Sequence, residues 1–426
     1  MTTALLTDRY ELTMLGSALR DGTAGRRCVF EVFARRLPDG RRYGVVAGTG
    51  RLIDALAEFT FDDETVELLR ADGVVDAGSA EYLRQFRFSG DIDGYPEGEL
   101  YFPYSPVLTV TGSFAEAVLL ETLTLSILNH DCAVAAAAAR MVTAAAGRPI
   151  IEMGSRRTHE QAAVAAARAA YLAGFASTSN LAAARRYGVP TAGTAAHAFT
   201  LLHDDERAAF AAQVDALGRD TTLLVDTYDI TRGIETAVAV AGPELGAVRI
   251  DSGDVGVLAR QAREQLDALG ARGTKIVVSG DLDEFAIAAL AATPVDAYGA
   301  GTAVVTGSGA PTAGMVYKLV EVDGRPVAKR SELKGTHGGR KTALRAHKPT
   351  GTAIEEIVSS LPEARPGPGE RSVQRPLVRA GRPVDDLPTL AESREHLRAA
   401  TVTLPWDGLK LSRGEPAIPT RIVSAS

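Results

Sequence analysis

Cysteine is almost missing from this chain: among 426 residues there are two, Cys28 and Cys132, far apart in sequence. With no Cys-x-x-Cys pair, a disulfide framework is excluded and a reducing, cytoplasmic setting is expected. An excess of positive charge is missing too. Lys and Arg total 46 against 53 Asp and Glu, a formal net charge of −7, so there is no basic footprint for nucleic acid or an anionic membrane surface. Any anion must be held by local arginines. Long apolar runs are also lacking. The longest, residues 132–139, is bounded by Asp131 and Arg140 and is far too short to span a bilayer. Residues 1–10 reach charge too early for the apolar segment of a signal peptide. No internal repeat or low-complexity tract stands out.

What is present is an ordinary globular composition, 46% hydrophobic and 23% charged, in a chain long enough for two domains or one large barrel with additions. The middle alternates short β-branched runs with alanine-rich amphipathic stretches. Strands are expected at 149–152, 189–193, 222–226, 247–251, 275–279 and 295–298. Helices are expected between them at 159–173, 180–187, 204–217, 231–240, 255–269 and 282–291. Strand and helix alternating at this pitch imply parallel strands, and six such units in a row favour an irregular α/β barrel, with a doubly wound sheet as the alternative. Outside the middle the pattern changes. A helix over 7–19, a strand over 28–37, one or two alanine-rich helices over 119–146, and a strand from Met315 turning at Asp323-Gly324 point to a second α+β domain built from both termini. The expected division is 1–145, 146–315 and 316–426, with 361–382 as exposed loop.

In a parallel barrel the loops after the strands build the active site. The expected strand ends carry Glu152 with Arg156 and Arg157, Gly193-Thr194 with His197, Asp226 to Asp229, Arg249 with Asp251 and Asp254, Ser279-Gly280-Asp281, and Tyr298 to Thr302. Paired arginines suit a phosphate or carboxylate, and Gly-rich turns let an anion approach the backbone. The set suits a phosphorylated sugar bound with Mg²⁺, carboxylates orienting hydroxyls or meeting the metal through water. Each residue also has a plainer reading: Asp254 or Asp281 as a helix cap, the arginine pair as a solvated edge, Tyr10 as an aromatic packed on the core. Of the seven histidines, His130 and His159 read as caps and His203 as a loop residue. One imidazole at a strand end is too few for a metal-dependent hydrolase.

Several of these blocks occur together in a known family. Thr7-Asp-Arg-Tyr-Glu-Leu-Thr-Met14, Glu152-Met-Gly-Ser-Arg-Arg157, Gly174-Phe-Ala-Ser-Thr-Ser-Asn180, Gly193-Thr-Ala-Ala-His197, Leu224-Val-Asp-Thr-Tyr228, Arg249-Ile-Asp-Ser-Gly-Asp254, Gly301-Thr302 and Val316-Tyr-Lys-Leu-Val320 stand in an order that resembles nicotinate phosphoribosyltransferase. The resemblance implies formation of nicotinate mononucleotide and pyrophosphate from nicotinate and phosphoribosyl pyrophosphate, coupled to ATP hydrolysis, with Mg²⁺ accompanying the phosphate substrates. It implies that His197 is transiently phosphorylated, that Tyr10, Thr194 and Arg249 face nicotinate, and that Arg156, Asp251, Gly280, Asp281, Gly301 and Thr302 face the phosphoribosyl substrate. It also implies a homodimer with shared active sites. Departures are Ala198 after the histidine, Met153 where an aromatic is common, and Gly280 where Asn is common. Nicotinamide and quinolinate are the rival bases, and a non-catalytic homologue is the rival class. The basic stretch from Lys334 to Lys341 is expected either to approach a phosphate or to form a solvated surface.

Overall fold

A computed structural model describes residues 2–329, 337–361 and 364–424 of the chain. Lys334 lies outside the described residues. Two compact units emerge, Met1–Ala136 with Ala310–Ser426, and Ala137–Gly309.

The first unit is α+β and is made by both ends of the chain. Its seven-stranded sheet runs Arg325–Pro326, Met315–Val322, Arg27–Ala34, Leu108–Ser113, Asp91–Gly94, Arg375–Arg379, Arg382–Pro383. The strand Arg27–Ala34 is buried along nearly its whole length, with Val32 opposite Tyr317 on one side and Leu108 on the other. Phe30 stacks on Tyr317 with ring centroids 4.9 Å apart, and Leu15, Leu83 and Val110 join the same core. A four-stranded sheet, Glu370–Ser372, Thr342–His347, Ala353–Ser359, Thr420–Val423, completes the unit. The expected loop 361–382 therefore contains strands of both sheets; its Pro, Gly and Arg content hid short segments whose pairing is long-range. Asp323 and Gly324 both take positive φ, forming the expected hairpin turn after Met315–Val322.

The second unit is the barrel. Its six parallel strands, in chain order, are Ile150–Glu152, Ser177–Thr178, Thr222–Leu224, Ala247–Ile250, Lys275–Val278 and Ala297–Ala300. In space the second lies beside the first, the first beside the sixth, and the sheet continues through the fifth and fourth to the third. Pairing of the last strand with the first is what closing a barrel requires, and it excludes the doubly wound alternative. The sheet curls into an irregular barrel open at one seam, between the second and third strands. Helices cover the strands: Glu160–Leu172 and Leu181–Tyr187 pack on Ser177–Thr178, and Val255–Ala268 packs on Ala247–Ile250 and Lys275–Val278, whose Val248, Ile250, Ile276 and Val278 are buried.

Two expected strands moved. Residues 189–193 contribute one isolated bridge, Thr178 to Thr191, because Pro190 has no N–H to donate; its carbonyl accepts from the Thr178 amide at 2.9 Å instead. The second strand is the inconspicuous Ser177–Thr178. The sixth runs two residues later than expected, through Gly299, where a Cβ would stand 2.8 Å from the Met153 sulfur.

Candidate active site at the open seam of the barrel

The acidic clusters after the strands separate into two kinds. Asp205, Asp229, Asp254 and Asp283 accept backbone N–H bonds two or three residues on and start the helices Glu206–Leu217, Ile230–Ala241, Val255–Ala268 and Glu284–Ala289. Asn180 does the same for Leu181–Tyr187. Each such cap stabilises its helix by about 1 kcal/mol. Asp226 and Asp251 cap nothing and are free for the site.

Arg249 is the centre of that site. From the fourth strand its Nε donates to Ser279 Oγ (2.7 Å), Nη1 to Thr194 Oγ1 (2.8 Å) and Nη2 to Asp251 Oδ1 (2.7 Å). Ser279 also donates to Asp251 Oδ1. Burial is the largest influence on the Asp251 carboxyl and pushes it up, but the Ser279 and Arg249 hydrogen bonds, with the charges of Arg249 and His197, together hold it below the usual range. Asp251 is therefore a carboxylate at neutral pH. Its backbone N–H donates to Asp226 Oδ2 (2.9 Å), which also accepts from Ser252 Oγ (2.7 Å). Asp226 Oδ1 is buried and lacks any hydrogen-bond partner among the described residues.

His197 opens the short helix His197–Leu201 and is half-buried. Its Nδ1 lies 3.2 Å from Thr227 Oγ1, on the segment after the third strand. With the Arg249–Thr194 bond, this contact spans the seam that backbone pairing leaves open. Gly280, at φ +126°, brings the chain so close that a Cβ would lie 3.3 Å from the Asp251 carbonyl oxygen. Asp281 beside it is exposed.

The remaining expected residues form a second group. Arg156 is exposed in the turn after the first strand. Gly301 follows the sixth strand, its absent Cβ leaving room for the Met153 carbonyl 3.3 Å away, and exposed Thr302 begins the helix Thr302–Val305. Glu152, read as a site carboxylate, is buried, bonded by Thr178 and Gly154, and raised in pKa by burial, so it serves the turn itself.

Tyr10 belongs to the first unit. It lies on the helix Arg9–Asp21 and is 45% exposed, not packed on the core. Partial burial, then the carboxylates of Glu121 and Glu11, push its hydroxyl up to about 12. His159 caps a helix as expected, whereas His130 sits inside Glu121–Ala145 against Asp131. Sequence reasoning missed the parts played by Ser279 and Thr227, whose small hydroxyls look like any strand-end residue. It also missed Glu206, which reads as one more acid in a helix's first turn.

Comparison with known proteins bears on this site. Residues 5–129 match the model of the nicotinate phosphoribosyltransferase N-terminal domain, and residues 134–308 that of the quinolinate phosphoribosyl transferase C-terminal domain. The chain is 67% identical over 432 residues to nicotinate phosphoribosyltransferase pncB1 of Mycobacterium tuberculosis, covering 99% of this chain and 95% of that protein. The crystal structure of human nicotinic acid phosphoribosyltransferase superposes with a TM-score of 0.84 at 29% identity, covering 98% of this chain and 97% of that one. A nicotinate-nucleotide pyrophosphorylase from Pyrococcus furiosus gives 0.77 at 26% identity, with 94% and 95% covered.

Proposed function

This chain belongs to the nicotinate phosphoribosyltransferase family, and from that premise we propose that it joins nicotinate to phosphoribosyl pyrophosphate, releasing pyrophosphate, with ATP hydrolysis coupled through His197. The observation that carries this reading is the Arg249 hub, which puts Thr194, Ser279 and Asp251 around one guanidinium beside the His197–Thr227 contact. Arg249 retains N–H donors beyond its three bonds, and a nicotinate carboxylate takes them; the neutral amide of nicotinamide offers less charge. Departure of pyrophosphate from C1 leaves positive charge on the sugar ring, which the Asp251 carboxylate stabilises while Arg156 meets the leaving group. The pyridine nitrogen is already nucleophilic, so holding it in line contributes more than acid–base help.

His197 Nδ1 is engaged by Thr227, which leaves Nε2 to take the γ-phosphoryl group of ATP. The N–P bond forms as the bond to the ADP oxygen breaks, and water later releases phosphate. Among the described residues no three His, Cys, Asp or Glu stand as a metal cage. Mg²⁺ enters with the phosphate substrates, where it would neutralise their charge. Tyr10 meets the pyridine ring, Gly280, Asp281, Gly301 and Thr302 meet the phosphoribosyl group, and the active form is a cytoplasmic homodimer.

The test is turnover of nicotinate and of nicotinamide, each with and without ATP. ATP-stimulated use of nicotinate is expected, and ATP-independent use of nicotinamide alone would overturn the assignment. His197→Ala is expected to lose the ATP stimulation and all labelling by γ-labelled ATP. Labelling at the wild-type level would remove His197 from the role.

A further inference from the structure

We propose that Glu206 is a positioning residue for the reaction above: protonated, it bridges to Asp226 and steadies the anchor of the 251–252 turn, and on ionising it pushes that anchor away. The inference rests on the proposed activity only for its kinetic arm.

Two buried oxygens carry it. Glu206 Oε1 and Asp226 Oδ1 are each shut off from solvent, and neither has a hydrogen-bond partner among the described residues. Asp226 as a whole is 9% exposed, and its other oxygen already takes the Asp251 amide and the Ser252 hydroxyl. Ionised carboxylates only accept, so with the Asp226 charge acting on Glu206, both buried oxygens stay unsatisfied unless one of the two groups carries a proton. Leaving both bare costs the desolvation of two buried acceptors, and a shared proton removes that cost.

The surroundings favour the proton. Burial is the larger influence on Glu206 and the like charges of Asp226 and Asp229 add to it, together raising its carboxyl to about 7. Asp229 is occupied capping Ile230–Ala241. The nearby imidazoles are engaged elsewhere, His203 with the Phe199 carbonyl at 2.8 Å and His197 with Thr227. These acids do not form a three-ligand metal set among the described residues. Asp226 in turn connects to both halves of the site: it fixes the backbone of Asp251, and its neighbour Thr227 touches His197. A second negative charge beside Asp226 therefore disturbs Asp251 and His197 together.

The experiment compares the full-length protein with Glu206→Gln and Glu206→Ala. Glutamine keeps a permanent neutral donor; alanine does not. As pH rises from about 6 to about 8.5, kcat/KM for nicotinate in Glu206→Gln should gain several-fold relative to wild type, because only wild type acquires the second charge. At about pH 6 Glu206→Ala should fall about tenfold or more below wild type in kcat/KM, with the neutral donor gone, and the gap should close as pH rises and wild type loses its own proton. Melting curves give a readout independent of turnover. A group whose folded pKa is raised stabilises the fold below its unfolded value and loses that contribution as pH climbs through the folded value. From about pH 5 to about pH 8, then, the Tm of Glu206→Gln should rise relative to wild type. Parallel Tm curves overturn the shared proton even if the enzyme is inactive on nicotinate. Diverging Tm curves with parallel kinetic profiles overturn the positioning role. Absence of nicotinate turnover in wild type overturns the functional reading and leaves the melting comparison to decide the proton.

Discussion

At Arg249 one flat guanidinium ties together three side chains carried by three separate segments: Thr194, Asp251 and Ser279. Lysine has the charge but a single rotating donor group, so it cannot hold three acceptors in a plane. Arg249→Lys is therefore expected to lose about 10²-fold in kcat/KM for nicotinate while keeping its circular dichroism spectrum. Steady-state kinetics within threefold of wild type would refute the hub. The residues most legible in the sequence were those whose chemistry is scarce nearby, a strand-end imidazole and a half-buried arginine within a strand. Those that stayed hidden act through a hydroxyl or a single proton. Ser279 and Thr227 have no compositional signature, and Glu206 is told from an ordinary first-turn acid only by the burial of its Oε1 and the influence of the Asp226 charge. The capping carboxylates caused the converse difficulty: Asp229 and Asp254 sit in the same loops as Asp226 and Asp251, and only their bonds to the following helices separate them.

Among elements, the periodic helices and four of the six expected barrel strands, at 149–152, 222–226, 247–251 and 275–279, lie close to expectation because each is specified locally. Ser177–Thr178 escaped notice because two small polar residues become a strand only by lying against Ile151 and Glu152. The four-stranded sheet of the first unit depends on an equally non-local feature. Arg345, on Thr342–His347, stands opposite Glu356 on Ala353–Ser359 and is wholly buried between Glu356 and Glu99. For Glu99 burial is the largest influence and raises the carboxyl, but Arg345, His396 and Arg371 outweigh it and hold it far below the usual range. A depressed carboxyl contributes stability that is present above its unfolded pKa and lost as pH falls. Arg345→Met strips the buried Glu356 of its cation and leaves buried Glu99 with only Arg371 and His396 on its other oxygen, so it should destabilise the first unit by about 3–5 kcal/mol in urea unfolding near neutral pH. The loss should shrink on acidification, as the stranded acids take up protons. An unshifted urea midpoint would show that the two sheet strands hold without the pair.

Over the whole molecule, the barrel unit is continuous in sequence and the other unit is not, and this decides which one tolerates a cut. All six barrel strands fall within Ala137–Gly309. In the first unit, by contrast, Arg27–Ala34 is flanked by Leu108–Ser113 from its own end of the chain and by Met315–Val322 from the far end. The changed pattern before and after the barrel made a shared terminal domain legible, but no local signal could say which strands pair across that distance. A chain ended after Gly309 keeps the barrel sequence and loses the partner that pairs with every residue from 28 to 34. Val32 and Phe33, buried in the intact protein, then lie on an open, strongly apolar strand edge, the arrangement that templates association with other chains. Glu99 loses Arg345 in the same cut and is left buried without its main cation. The truncated protein should therefore elute as large aggregates in size-exclusion chromatography with light scattering, under conditions where the full chain stays dispersed. If it instead runs as a discrete species and melts cooperatively with the full chain's helix and sheet signal for residues 2–136, the terminal strand is an accessory to the first unit and not part of its core.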